Sequence, residues 1–377
     1  MRLATHECFR DLVTSQDGID YYSLNGRRED WSEFMREVYS STSVSTVRKF
    51  PSRLTFYSAL VSEMMSSCWA AYTSSPGVRF NALISNPVVF AYASIAEKAG
   101  IPYHCMFVMP FVRTKAFPHP FLNATLEGGW SKQNALSFDI VDGALSLTLQ
   151  SLVNNFRVQV LGLKPIPASG YFSIQGAPFT LLCTPSLHPL PKDWPRSCEV
   201  AGACTLVTSA LSESMKNAFQ CMASISPRPL LYMGFGSVAL GRSDIEKILQ
   251  LIAAALSGSD VRICFQLKLS QAAERSITLL SKQYPTHYIK REEDITNVGS
   301  ARLIILAISV AHELLFPVCN AVIHHGGAGT AHTSLYLGKG NIKSVWNMMK
   351  ASPYPTYHSN DGAPFLCGSV LLGENCL

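Results

Sequence analysis

Four runs in the second half of the chain, residues 230–235, 261–267, 302–307 and 321–323, are dominated by apolar side chains and lack polar alternation. Such runs predict strands buried on both faces, as in a parallel sheet covered by helices. Helical spacing of apolar positions over 244–256, 312–318 and 330–337 supplies the covering elements. The first half repeats the scheme: 2–5, 19–24, 80–85 and 103–109 read as strands, with helical patterns after Glu7 and over 54–72, 89–99 and 145–161. A passage marked by prolines, from Pro185 to Pro229, joins the two series. Alternation of strand and helix on this scale predicts an α/β protein of two domains.

Two of the apolar runs end in glycine turns. After Ala321-Val322-Ile323 come His324, His325, Gly326, Gly327, Ala328, Gly329 and Thr330, where Thr330 opens a helix that Gly338 can stop. Free amides at a helix start hold an anion through charge-assisted hydrogen bonds and the helix dipole. The second turn, Gly234-Phe235-Gly236-Ser237, ends the run 230–235 and places a hydroxyl and an amide of Ser237 toward the same anion. Together they predict a divided cradle for a diphosphate at the carboxyl ends of parallel strands. Alternation along the strand turns His324 away from its neighbour, so His324 is expected to be packed or structural, while His325 taken by itself is readable as a strand-end histidine bonded to backbone.

GFGS, then HELLFP from His312, then AVIHHGGAGT resemble the nucleotide-sugar half of the sterol 3-beta-glucosyltransferases, members of the inverting UDP-glycosyltransferase superfamily. The first half agrees in order and spacing through ATHECFRDLV at 4–13, ISNPVVFAYASIAEKAGIP at 84–102, FPHP at 117–120, NNFRVQVLGL at 154–163 and PKDWP at 191–195. The resemblance covers most of residues 2–338 and implies the GT-B architecture, two Rossmann-like domains facing a cleft. It divides the chain into an acceptor-binding domain over 1–205, a partial UDP-sugar domain over 206–340 and a divergent tail over 341–377. It implies UDP-sugar contacts from Ser237, His312, His325, Gly326, Gly327, Ala328, Gly329 and Thr330, and acceptor-side positions at Phe117, His119 and Pro120. His312 is equally readable as a residue capping its own helix, and the turn at 117–120 as purely structural. Where the family has a tryptophan two residues after that histidine, Leu314 stands here, so base stacking at that position is not expected.

By resemblance, a loop like GxRGDVQP, whose aspartate is the general base, precedes the segment that begins here at Met1. A GDQ segment that holds the sugar hydroxyls follows the glycine helix. Residues 340–377 match nothing there and show no helical or strand period, so they are expected to be poorly ordered and to leave the strands 230–235 and 321–323 partly uncovered. The implied reaction is glucosyl transfer from UDP-glucose to a sterol 3-hydroxyl with inversion. No metal or other cofactor is expected, since the leaving diphosphate is met by histidine and helix amides and no Asp-x-Asp pair appears.

Composition narrows the alternatives. A net charge of +5 with 15% charged residues, free of basic runs, makes no case for nucleic acid and allows at most peripheral attraction to an anionic membrane. Eleven cysteines include no CxxC pair, and the chain shows neither a signal segment nor an uninterrupted apolar span, so reduced thiols and a cytoplasmic setting are expected. A dinucleotide-dependent oxidoreductase is disfavoured because neither glycine turn fits GxGxxG followed by an acidic residue. The other reading is a non-catalytic remnant that binds lipid or nucleotide.

Overall fold

The computed structural model describes residues 1–26, 30–31, 57–75, 77–120, 131–167, 177–204, 213–236, 242–267, 271–291, 294–295, 298–308 and 310–343. Ser237, residues 344–377 and the start of the helix expected over 54–72 lie outside these. Two compact units divide between Gly202 and Ala203.

In the first unit every described strand pairing is parallel. Strands β1 (Arg2–His6) and β2 (Asp20–Leu24) form one pair. Strands β3 (Leu83–Ser85), β4 (Tyr103–Phe107), β5 (Phe179–Leu181) and β6 (Cys198–Val200) form a second sheet in that order. The helices are α1 (Arg10–Thr14), α2 (Ser58–Thr73), α3 (Tyr92–Ala99) and α4 (Ser131–Asn155). Val141, Leu145, Leu149 and Val153, four residues apart, form the buried stripe of α4 and pack with Val61 and Met65 of α2 and Ile95 of α3. The expected helix over 145–161 is thus the second half of a longer element. Helical structure over Gln133–Leu161 is long and apolar enough to cross a membrane by length and composition, a stretch the sequence reading did not single out. Here it supplies the core of the unit.

From Phe156 to Leu161 the helix widens to π geometry and stops at Gly162, whose φ of 64° suits glycine. This is the NNFRVQVLGL block, and it works as a clamp. Asn154 exchanges two hydrogen bonds with the backbone of Ile166, each 2.9 Å. The Arg157 guanidinium, 4% exposed, bonds both carboxylate oxygens of Glu97 at 2.7 and 3.1 Å, the Ser94 hydroxyl at 3.1 Å and the Lys164 carbonyl at 2.9 Å.

The second unit has a six-stranded parallel sheet of order β12-β11-β7-β8-β10-β9. Its strands are β7 (Leu230–Gly234), β8 (Arg262–Gln266), β9 (Thr286–Ile289), β10 (Leu303–Leu306), β11 (Ala321–His324) and β12 (Gly340–Lys343). Each central strand divides its side chains between two cores. Tyr232, Cys264, Ile304 and Val322 face α5 (Glu213–Ser224) and the short α8 (His312–Leu315), while Met233, Phe265, Ile305 and Ile323 face α6 (Arg242–Gly258) and α7 (Gln271–Ser281). Burial on both faces is why these runs are apolar without alternation.

Three sequence expectations are corrected here. Residues 340–343 do have regular structure: β12 pairs in parallel with β11, Ile342 opposite Ile323. The passage between Pro185 and Pro229 is likewise more than a connection, since it holds β6 and α5. Both faces of β7 are covered by the two cores, and β11 lies between β7 and β12, so the expected gap in cover over 230–235 and 321–323 is absent.

Candidate functional site

Strands β7 and β11 are neighbours, and His324 lies opposite Gly234 in the register. The two glycine turns, distant in sequence, therefore leave the same edge of one sheet side by side. Each needs glycine for a distinct reason. Gly236 and Gly326 have φ of 55° and 91°, in the left-handed region that L side chains avoid. Gly327 is held by space, because a Cβ there would lie 2.5 Å from Nε2 of His325.

The imidazole of His325 is wedged between the turns. A Cβ on Gly236 would meet its Cε1 at 3.0 Å, and one on Gly327 would meet the same atom at 2.7 Å. Its Nδ1 is buried with no hydrogen-bond partner among the described residues. Burial holds the ring below the ordinary histidine range, so it is neutral at pH 7. A buried polar atom without a described partner, beside two turns, is a place where a ligand or water can supply the missing bond. His324, by contrast, is buried, and its Nδ1 accepts the Gly326 amide at 3.1 Å, which shapes the turn. The packed role expected for it is the one observed.

Helix α9 (Ala328–Tyr336) starts two residues before the expected Thr330, with Gly327 as its N-cap. Its first intrahelical bond runs from the Ala331 amide to the Gly327 carbonyl at 3.0 Å. The amides of Ala328, Gly329 and Thr330 thus have no acceptor within the helix and carry its positive end. At the other end, Gly338 with φ of 65° closes the helix, the Gly338 amide bonding Leu335 and the Lys339 amide bonding Ser334.

His312 opens α8 but does not cap it, since the N-cap is Ala311. Its Nε2 lies 3.2 Å from the Tyr232 hydroxyl, and its ring stacks on Phe316 at 4.5 Å and 13°. Tyr232 is two residues before Gly234, where a Cβ would collide with its hydroxyl, so His312 belongs to the same end of the sheet as the turns. Leu314 is buried in the adjoining core and offers no ring to a base. His312, Gly326, Gly327, Ala328, Gly329, Thr330 and His325 thus come together; Ser237 follows Gly236 but is outside the described residues. Tyr232 and Gln266 join this group without having been singled out in the sequence, where each reads as one more residue of a buried strand.

Phe117, His119 and Pro120 are all buried in the first unit. Phe117 meets Trp194 and His188 edge to face, and His119 is set between Phe111 and Phe138 at 5.0 and 4.9 Å, its amide donating to Ser137 Oγ at 2.7 Å. Packing is the role these contacts display. Burial pushes the His119 pKa down to about 3. Above about pH 6.5 neither the folded nor the unfolded chain protonates this ring. Below it the unfolded chain takes up a proton that the folded state refuses, costing about 1.4 kcal/mol per pH unit until about pH 3. We expect urea unfolding of the first unit to lose about 2 kcal/mol between pH 6.5 and 5. His119→Phe should remove that slope, and an equal slope in both proteins would place the proton uptake elsewhere.

No family profile matches the chain. Among characterised proteins it is 26% identical to the sterol 3-beta-glucosyltransferase UGT80B1 of Arabidopsis thaliana over 343 residues, covering 90% of this chain and 50% of that protein. It is 28% identical to UGT80A2 of the same plant, covering 89% and 48%, and 28% identical to the sterol 3-beta-glucosyltransferase of Komagataella phaffii, covering 90% and 26%. The chain therefore spans about half the length of the plant relatives and less of the fungal one. Among solved structures, the glycosyltransferase SnogD from Streptomyces nogalater superposes with a TM-score of 0.50 at 14% identity, covering 90% of this chain and 72% of that one. The calicheamicin glycosyltransferase CalG4 gives 0.53 at 12%, covering 93% and 74%. By sequence the chain is a homologue of the sterol 3-beta-glucosyltransferases, and its fold is that of the GT-B glycosyltransferases.

Proposed function

We propose that this chain carries the UDP-sugar site of a glucosyltransferase that transfers glucose from UDP-glucose to the 3-hydroxyl of a sterol with inversion. The observation that carries the reading is His325, a neutral imidazole whose buried Nδ1 has no partner among the described residues, set against two adjacent glycine turns beside the first amides of α9, which have no acceptor within the helix. Such a group supplies hydrogen bonds to diphosphate oxygens as charge gathers on the leaving UDP, without reorganising when it does so. An acceptor hydroxyl attacks the anomeric carbon, its proton goes to a general base, and the bond to the diphosphate oxygen breaks. The glucosyl group and the sterol acceptor are those in the relatives' names; UDP-glucose as donor, inversion, a metal-free step and a cytoplasmic enzyme that touches membrane only at its surface belong to the proposal and rest on the motif resemblance.

The test is turnover of UDP-glucose with a sterol by this chain, beside a version extended at both ends. Steryl glucoside of inverted configuration from either supports the proposal. UDP binding without turnover by either favours the lipid- or nucleotide-binding remnant, and absence of UDP binding overturns both.

A further inference from the structure

A row of hydrogen bonds on one face of the second unit's sheet ends at His312. Gln266, the last residue of β8, donates from Nε2 to the Ile308 carbonyl at 3.0 Å, which fixes the end of the amide that is oxygen. That oxygen, Oε1, accepts the Tyr232 hydroxyl at 2.5 Å. A phenol has a single proton, and here it is committed to Gln266. The remaining 3.2 Å contact, between the Tyr232 oxygen and Nε2 of His312, is then satisfied only when the imidazole donates. The opposite polarity would turn the Gln266 amide over and set its oxygen against the Ile308 carbonyl, two acceptors face to face.

We infer that Tyr232 and Gln266 lock His312 as the Nε2–H tautomer, leaving Nδ1 a bare acceptor, so that His312 reads a hydrogen-bond donor of the nucleoside, a ribose hydroxyl or a base N–H, and not the phosphates. The inference rests on the nucleotide-sugar reading above and divides the work of two histidines: His325 serves the anion and His312 the neutral part of the ligand. Three further features hold the arrangement. The His312 ring lies flat on Phe316 and cannot swing freely. Burial holds His312 below its usual range, which keeps the ring neutral, and holds the Tyr232 phenol well above its own, which keeps it protonated. Gly234 is the third, because any side chain there would displace the Tyr232 hydroxyl. Tyr232 and Gln266 are thus positioning residues, acting on the ligand only through His312.

The experiment has two arms, both on the full chain. In the first, nitrogen chemical shifts of the 15N-labelled protein at pH 7.5, with His312→Gln to assign the ring, report the tautomer without ligand. The wild type should show protonated Nε2 and bare Nδ1. In Gln266→Leu the phenol is free to donate, so His312 should change to the Nδ1–H form, a signature that a merely structural residue would not move. Tyr232→Phe should release the ring into a mixture. A wild-type Nδ1–H or imidazolium form overturns the inference even where UDP binds.

The second arm titrates uridine and inorganic pyrophosphate. Tyr232→Phe should weaken uridine about threefold to tenfold, the scale of one neutral hydrogen bond, and leave pyrophosphate unchanged. Equal losses for both overturn it. 3-Methyluridine and 2′-deoxyuridine separate the base N–H from the ribose hydroxyl. If Tyr232→Phe does not fold, Gln266→Leu carries both arms. A correct tautomer in a chain that binds neither uridine nor UDP overturns the nucleotide reading, and with it the assigned ligand, while the lock itself stands.

Discussion

Replacing His325 by alanine is expected to weaken UDP binding by about 1.5–3 kcal/mol, roughly tenfold to a hundredfold, measured by calorimetry. The ring is what a Cβ on Gly236 or on Gly327 would meet first, and its buried Nδ1 has no partner among the described residues. A diphosphate oxygen that accepts a hydrogen bond from the ring N–H gains a charge-assisted bond in a site drier than bulk water. Alanine returns those oxygens to solvent and leaves a void between Gly236 and Gly327, which in the native protein tolerate no side chain against the ring. The amides of Ala328, Gly329 and Thr330 remain, so residual affinity is expected. Unchanged affinity would reduce His325 to a packed residue at a strand end.

Arg157→Ala should lower the stability of the first unit by about 3 kcal/mol out of a typical total of about 5–15. The ion pair is not the main reason, because Glu97 is 54% exposed and solvent screens it. What alanine strands is the interior end of the arrangement: the Ser94 hydroxyl loses a donor, the Lys164 carbonyl loses its bond, and the space of a guanidinium 4% exposed is left empty. Arg157→Lys should recover only part of this, since an ammonium cannot span both Glu97 oxygens and the Lys164 carbonyl at once. Urea unfolding of the three proteins checks the order. A midpoint for the alanine variant within a few tenths of a kcal/mol of the wild type would show that the clamp contributes nothing.

The apolar runs 230–235, 261–267, 302–307 and 321–323 were legible because a strand buried on both faces announces itself without any knowledge of its partners. Strands β5 and β6, three residues each, are too short to show a period, and β9 (Thr286–Ile289) mixes polar and apolar residues. Helix α7 buries Ile277 and Leu280 in the core beside it, too sparse a signal to stand out. Proline spacing disguised α5, although Phe219 and Met222 are fully buried. Of the site, the turns and His325 could be read because glycine clusters and their neighbours are local. Gln266 could not. Its meaning depends on lying across from Tyr232 and His312, and sheet order is invisible in any single segment. The aromatic shell around the 117–120 turn is equally invisible in the sequence, where the turn reads as acceptor-facing or as structural.

The placement of the two turns on adjacent strands has a consequence for how the second unit acquires its site. The strands that carry them join across a long loop, as the bond from the Leu230 amide to Asn320, 90 residues on, makes plain. Closing such a loop has an entropic cost that is repaid only when the sheet is assembled, so neither turn alone can bind on the way to the native state. Ligand affinity and global folding of the unit are therefore a single equilibrium seen from two sides. A nucleotide present at a hundred times its dissociation constant would deepen the native well by about 2.7 kcal/mol, and a destabilising change far from the turns would register first as a chain that needs that nucleotide in order to stay folded.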